Sequence, residues 1–385
     1  MAARMPLHRR QLLALLGSLA ALGPAGAQAA EPPPGVQRGR RLQFPRDHGA
    51  HPEVRTEWWY LTGALWPAGA ELLTAPPRWG FQVTFFRSAT GLAAALPGRL
   101  APRQILFAHA ALTELATPGR PARHLHDQRL ARWNGDPAVP GDRASLDQTG
   151  LRLGAWLLTG LMDGVAGYST RIPARGFELA LSLARTQPIL LQGEQGWSQK
   201  GPLPQQASHY LSEPQLRAGG TLRTEAGEMS VQGRAWLDHE WSDELLPPEA
   251  EGWDWLGINL DDGSALTAFR LRAKGEGAAP VWAGGSWRAG PDAPVRAFAP
   301  GEVRFTPLRW WTSPLTGARY PVAWRLQTPA GEHRLQALFD AQELDSRAST
   351  GTVYWEGLSE LLDASGRRVG LGYLEMTGYS GRLRL

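Results

Sequence analysis

The sequence predicts an all-β protein made of two tandem antiparallel β-barrels, and three observations carry that expectation. First, 45 Gly and 31 Pro are scattered without a period through 385 residues, which cuts the chain into short elements and leaves no room for long helices. Second, the stretches between these turn residues are rich in aromatic and β-branched side chains, as strands are. Third, they fall into two runs of about eight to ten short strands, each in roughly 180 residues, a number that suits closed barrels because closure removes exposed sheet edges.

At the N-terminus, residues 1–29 read as a cleaved export signal: His8, Arg9 and Arg10, an apolar run from Leu12 to Leu22, and small residues ending in Ala27, Gln28, Ala29. The apolar run is too short for a permanent membrane span. Arg9 and Arg10 followed by Gln11, Leu12 and Leu13 resemble a twin-arginine signal, so the expected location is periplasmic or secreted. Removing Arg4, Arg9 and Arg10 leaves 37 basic residues against 36 acidic ones, a net charge of +1, and no Lys/Arg block remains to attract nucleic acid. Cysteine is absent, which excludes disulfides and thiol chemistry.

After a Pro-rich linker (Glu31 to Gly35), strands are expected at Glu57–Leu65, Trp79–Arg87, Ile105–Thr113, Ala122–Trp133, Leu151–Leu158, Gly176–Thr186 and Pro188–Gly193. The Gly-, Gln- and Pro-rich stretch from Gly193 to Tyr210 reads as a domain boundary, dividing the chain into residues 30–200 and 201–385. A second series follows, from QLRAGGTLRT and MSVQGRAWLDHEW through GWDWLGINL and YPVAWRLQTP to TVYWEGLSELLD and VGLGYLEMTGY.

The most chemically loaded stretch runs from Trp236 to Asn259. Read as strands, its side chains alternate, so Leu237, His239 and Trp241 share one face and Asp238 and Glu240 the other. Trp253 and Trp255 likewise point away from Asp254. If the two segments pair as a hairpin, His239, Trp241 and Asp254 meet on one face, where an apolar setting raises a carboxyl pKa and readies it to donate a proton. The plainer reading is a polar network that holds two strands together, with the tryptophans as core.

Other clusters read more weakly. His124, His126 and Asp127 form HLHD, which has no identifiable third metal ligand and fits a solvated face, and no metal site is assigned. His109 reads as a core histidine that can also line a cavity. GYSTR (Gly167 to Arg171) lacks the second glycine of a nucleophile elbow, which argues against a serine hydrolase, while Tyr168 and Arg171 stand as a polar bracket or as ligand contacts. Aromatic–acid clusters lie at both ends of the chain: Glu57 with Trp58, Trp59 and Tyr60, and Tyr354 with Trp355 and Glu356.

Taken together, EWWYLTG, GYSTR, WLDHEW, GWDWLGINLDDG, YPVAW, YWEG and GYLEMTGY resemble the AttH-like family of exported proteins, related to the carotenoid 1,2-hydratases. That resemblance implies a pair of lipocalin-like (calycin-like) barrels, an apolar cavity without a cofactor, and in some members an association with the membrane permease of an ABC transport system. For the hydratase relatives it implies acid catalysis by Asp254 of GWDW, with His239 and Trp241 of DHEW beside it.

Three functional classes follow. One is an exported binder of a lipid or isoprenoid-like ligand, contacted by Trp59, Tyr168, Arg171, Trp253, Trp255, Tyr354 and Trp355. The second is a cofactor-independent hydratase or lyase acting on an isolated C=C bond through Asp254, His239 and Trp241. The third is a scaffold whose aromatic clusters are wholly structural.

Overall fold

Several strands are apolar along their whole length because both of their faces are covered. The structure, a computed structural model, describes residues 35–381 apart from 92–102, 137, 139, 162–163, 165, 245 and 276. The export signal expected over residues 1–29 lies outside the described residues. Among the described residues no helix is long and apolar enough to cross a membrane.

A 3-10 turn at Arg46–His48 leads into the first sheet. Its strands are β1 (Thr56–Pro67), β2 (Trp79–Ala89), β3 (Gln104–Glu114), β4 (Arg123–Trp133), β5 (Arg143–Ala144), β6 (Gly150–Leu153), β7 (Trp156–Leu161), β8 (Gly167–Ala174), β9 (Phe177–Ala184), β10 (Leu190–Leu191), β11 (Trp197–Gln199), β12 (Ala207–Thr224) and β13 (Gly227–Ser242). The second sheet is built from β14 (Ala250–Leu260), β15 (Ala265–Ala273), β16 (Trp282–Arg288), β17 (Arg296–Phe298), β18 (Arg304–Thr312), β19 (Arg319–Thr328), β20 (Gly331–Ala337), β21 (Glu343–Asp345), β22 (Val353–Leu362) and β23 (Arg368–Met376).

The first sheet has 13 strands in the order β4-β3-β2-β1-β13-β12-β9-β8-β7-β6-β5, with β10 and β11 added to β12. The second has 10 strands in the order β17-β16-β15-β14-β23-β22-β20-β19-β18, with β21 on β22. The all-β expectation holds, and the expectation of two closed barrels is corrected. In the first sheet β4 packs against β6 and β8 without a ladder among the described strands, so that sheet is nearly closed. The second is a curled half-barrel. Its end strands explain why: β17 spans 3 residues, and β18 carries Pro307 and two register shifts, so neither presents a continuous row of donors and acceptors.

Two local expectations also change. Leu151–Leu158, read as one strand, is a hairpin of β6 and β7, turning at Gly154 with φ +56°, a conformation glycine adopts freely. The segments on either side of residues 243–249 are not hairpin partners: β13 pairs with β1 and β12, whereas β14 pairs with β15 and β23. Strands β12 and β13, which follow residue 200, complete the first sheet.

Buried side chains form three main layers. One fills the inside of the first sheet (Leu61, Val83, Phe85, Leu237), and another fills the inside of the second (Leu256, Ile258, Trp324, Trp355). The third lies between the sheets and contains Tyr60, Trp236, Trp255, Phe269, Leu358 and Tyr373. Strand β1 therefore buries nearly every residue from Thr56 to Trp66, whereas β9 alternates between buried and more exposed positions. Gln215, at a bulge in β12 with φ 58°, ties the layers together: its amide nitrogen donates to the carbonyls of Leu260 and Ser264 at 2.9 Å each.

The sheets approach closely at Gly80, where an added Cβ would stand 2.7 Å from the Cβ of Leu358 and 2.8 Å from the hydroxyl of Tyr373. Gly80→Val should force them apart, costing about 1–3 kcal/mol as overpacking does. Urea unfolding of the variant checks this, and an unchanged midpoint would show that the contact yields freely.

Candidate active site between the sheets

The alternation of β13 and β14 decides where their polar groups go. Asp238 and Glu240 of β13 and Trp253 and Trp255 of β14 face a cleft between the two sheets, with about 1050 Å³ of empty space, its mouth included. Strands β1 to β3 contribute Trp58, Tyr60, Phe86, Phe107 and His109, and β15 contributes Phe269. From β22 and β23 come Tyr354, Glu356 and Glu375. The walls are aromatic, and four carboxylates look into them, with a fifth, the exposed Glu244, also on the lining.

These carboxylates are not equivalent. Asp238 accepts hydrogen bonds from the hydroxyls of Tyr210 (2.6 Å) and Ser212 (2.5 Å) and from Trp236 Nε1 (2.6 Å). Burial nevertheless pushes its pKa up to about 7. Glu240 is engaged by Lys200 Nζ at 3.0 Å and by the Ser208 hydroxyl. The Lys200 ammonium also lies 4.2 Å from the ring centre of Phe269.

Glu356 and Glu375 are direct cross-strand partners, so their side chains leave the sheet on the same face. Burial and the neighbouring Glu375 hold Glu356 well above the usual carboxylate range. Burial first, then Asp238 and Glu240, push Glu375 up to about 7. Neither oxygen of Glu356 completes a hydrogen bond, nor does the Tyr60 hydroxyl, although Glu356 is 1% exposed. Such unpaired buried polar atoms are costly and mark a place for a ligand's polar group or a water.

The constellation expected from sequence is not assembled. Asp254 faces the inside of the second sheet, where it accepts from Arg270 Nε (2.7 Å) and the Tyr379 hydroxyl (2.9 Å), with Arg272 at 3.6 Å. His239 and Trp241 face the inside of the first sheet. Trp59 stacks on His239 with ring centres 4.5 Å apart, and Trp241 stacks on His51 at 3.8 Å. Asp254 thus points away from His239 because each occupies the inward face of a different sheet.

Of the expected ligand contacts, Trp253, Trp255 and Tyr354 line the cleft. Trp59 and Tyr168 are inside the first sheet, where Tyr168 donates to Glu213. Arg171 is exposed and paired with Glu178, and Trp355 is buried within the second sheet, donating to the Asp340 carbonyl at 2.7 Å. Within HLHD, His124 bonds the Thr113 hydroxyl at 2.9 Å, and Asp127 accepts from the Arg175 amide at 3.0 Å. Sequence reading passed over the acids that do converge, Asp238, Glu240, Glu356 and Glu375. Their one signal was parity, since each lies two residues from an aromatic or acidic side chain on the same strand face.

A second buried cluster supports the site from behind. His51, Glu57 and His239 bring ligand-type atoms within 4.8 Å of one another, as cation ligands would. Protein groups already close the set: Glu57 meets His51 Nδ1 (2.7 Å), His239 Nε2 (2.9 Å) and Arg87 Nε (2.8 Å). Burial alone would push Glu57 up, but His51 and Arg87 hold it well below the usual carboxylate range. Arg87 also donates to Gln104 (2.7 Å) and to the Val54 carbonyl (3.0 Å). Arg87→Met should strand the Glu57 charge and cost about 3–5 kcal/mol of stability. Guanidinium unfolding measures it, and a loss under about 1 kcal/mol, the worth of an exposed pair, would show that the charge is not buried as described.

Comparison with known proteins follows the same architecture. Residues 35–379 match the family model described as AttH-like. A crystal structure from Nitrosomonas europaea, assigned as an AttH, is 44% identical, covers 91% of this chain and 100% of its own, and superposes with a TM-score of 0.78. Kievitone hydratase from Nectria haematococca is 14% identical over 90% of this chain and 95% of its own, with a TM-score of 0.61, a likeness of fold alone. No curated protein matches the sequence. By the family model, which spans nearly all the described residues, and by the Nitrosomonas relative, the chain belongs to the AttH-like family.

Proposed function

We propose that this protein is a cofactor-independent hydratase or lyase acting on an apolar, isoprenoid-like ligand with an isolated C=C bond. The observation that carries the reading is the Glu356–Glu375 pair, two facing carboxyls in an aromatic cleft, one of them with no hydrogen-bond partner. Kievitone hydratase, similar in fold, has hydration in its name, and the family resemblance to carotenoid 1,2-hydratases points the same way. Export of the mature chain to the periplasm is part of this proposal and rests on residues 1–29. Partnership with an ABC permease is not required by it.

The chemistry follows from the two different affinities for protons. Glu356, protonated, gives its proton to one alkene carbon, and the π electrons form the new C–H bond. A tertiary cation is left on the other carbon. Trp253 and Trp255 face it, and a desolvated cation over such rings gains about 2 kcal/mol. Glu375, ionised, takes a proton from a water as that water's oxygen bonds to the cation. The sum is addition of one water, and the reverse is dehydration. Asp254, His239 and Trp241 hold the two sheets in shape and do not touch the reacting atoms.

Acyclic isoprenoids with trisubstituted double bonds, incubated in ¹⁸O-water, test this by mass spectrometry. Label should enter a tertiary alcohol, and Glu356→Gln should lower kcat by about 10²–10⁴, the usual worth of general acid catalysis, with KM little changed. Because the acid must be protonated and the base ionised, the pH profile should be a bell whose rising limb lies near pH 7, set by Glu375. Glu375→Gln should remove that limb. Retention of the isoprenoid with no label uptake would replace catalysis by carriage, and failure to retain any apolar molecule would overturn both.

A further inference from the structure

The acid proposed above has to be reloaded after each turnover, and the structure shows a chain of groups reaching it from the protein's edge. His109 lies on β3 of the first sheet, and its ring bridges to the second. Its Nδ1 is 2.7 Å from the Tyr354 hydroxyl, and its Nε2 is 2.8 Å from Ser349 Oγ. Ser349 in turn lies 2.6 Å from Gln128 Oε1, and both Ser349 and Gln128 are part-exposed. At the other end the Tyr354 hydroxyl flanks Glu356. The groups facing His109 are Tyr354 and Ser349 from the second sheet, with Phe86, Phe107 and His126 from its own.

One arrangement of protons satisfies Ser349, His109 and Tyr354. Ser349 donates to Gln128, His109 Nε2–H donates to Ser349, and the Tyr354 hydroxyl donates to His109 Nδ1, while Glu356, two residues along β22 on the same face, stands beside the tyrosine without completing a hydrogen bond. Burial keeps the imidazole neutral, pushing its pKa down to about 3, so it can accept on one nitrogen and donate on the other. Both ring nitrogens of this buried histidine are thereby satisfied, and the two bonds run from a part-exposed serine to a tyrosine beside Glu356.

We propose that His109 and Tyr354 form a proton relay that connects the Ser349–Gln128 edge to Glu356 and reprotonates it between turnovers. The inference rests on the reading of Glu356 as the acid. When Glu356 has lost its proton, the Tyr354 hydroxyl turns and donates to it. For this step His109 stands in its other tautomer, Nδ1–H facing Tyr354 and Nε2 accepting from Ser349: the phenolic oxygen takes the Nδ1 proton, Nε2 takes the Ser349 proton, and Ser349 takes one from solvent, which leaves the chain in the arrangement above. Each step breaks one O–H or N–H bond and forms another, and one solvent proton enters per cycle. Glu375, more exposed than Glu356, releases the proton it took from water at the cleft mouth, so the charge balances.

The test does not need substrate. The ligand-free protein is diluted into D2O, and the C=O stretch of the protonated carboxyl, assigned by its loss in Glu356→Gln, is followed by time-resolved infrared spectroscopy. Deuterium should reach Glu356 at least tenfold more slowly in both His109→Phe and Tyr354→Phe, the second of which keeps the ring and guards against a folding artefact. In His109→Gly, added imidazole should restore the fast exchange. Exchange at the wild-type rate in both variants would overturn the relay while leaving Glu356 as the acid. Absence of any protonated Glu356 band at pH 7 in the wild-type protein would remove the acid, and the relay with it.

Discussion

Two carboxyl groups opposite each other on neighbouring strands, walled by tryptophan and tyrosine, cannot both be charged at ordinary cost. That constraint at Glu356 and Glu375 shapes the region between the sheets. Its consequence is a proton held where solution chemistry would have released it, in a cleft otherwise suited to an apolar guest. The other charged groups of the cleft fit around it. Lys200 answers Glu240, and Tyr210, Ser212 and Trp236 answer Asp238, whereas both oxygens of Glu356 are buried without a completed hydrogen bond.

The inward faces of the two sheets have a different task. Glu57 with His51 and Arg87 in the first sheet, and Asp254 with Arg270 and Tyr379 in the second, are closed networks in which each carboxylate meets a cation at 2.7–2.8 Å. In the first of these, His51 and Arg87 hold the Glu57 carboxyl well below its usual range in spite of its burial. Both networks fix the strands on which the cleft residues stand, and a shift of β13 or β14 by one residue would exchange Asp238 for His239 and Trp255 for Asp254.

Much of the fold was legible because turn residues and two-residue alternation are local properties. The strands at Glu57, Trp79, Ile105 and Ala122 lie where the pattern places them, and GYSTR is a strand rather than an elbow. Gly154 hid a hairpin because a two-residue turn looks like a pause within one strand. Closure was not legible, since it depends on the poor hydrogen-bonding edges of β17 and β18, which no single segment displays. The site was half legible for a sharper reason. Sequence separates the two faces of β13 and β14 without saying which one meets the other sheet, and β13 carries a tryptophan on each face, Trp236 and Trp241. Trp253, Trp255 and Tyr354 line the cleft, whereas His239 and Asp254, set on the correct faces by alternation, do not meet because β13 and β14 are not paired; Glu356 was read only as part of an aromatic–acid cluster, and Glu375 was not singled out.

The retained proton can be observed directly by ¹³C NMR of protein labelled at the glutamate and aspartate carboxyl carbons, titrated from pH 4 to 9 and assigned with Glu356→Gln, Glu375→Gln and Asp238→Asn. The account predicts that the Glu356 carbon still shows the protonated form at pH 7, and that the Glu375 and Asp238 signals move near pH 7. If all three carbons are fully ionised by pH 5.5, the cleft holds no acid at neutral pH and the chemistry proposed for it is wrong.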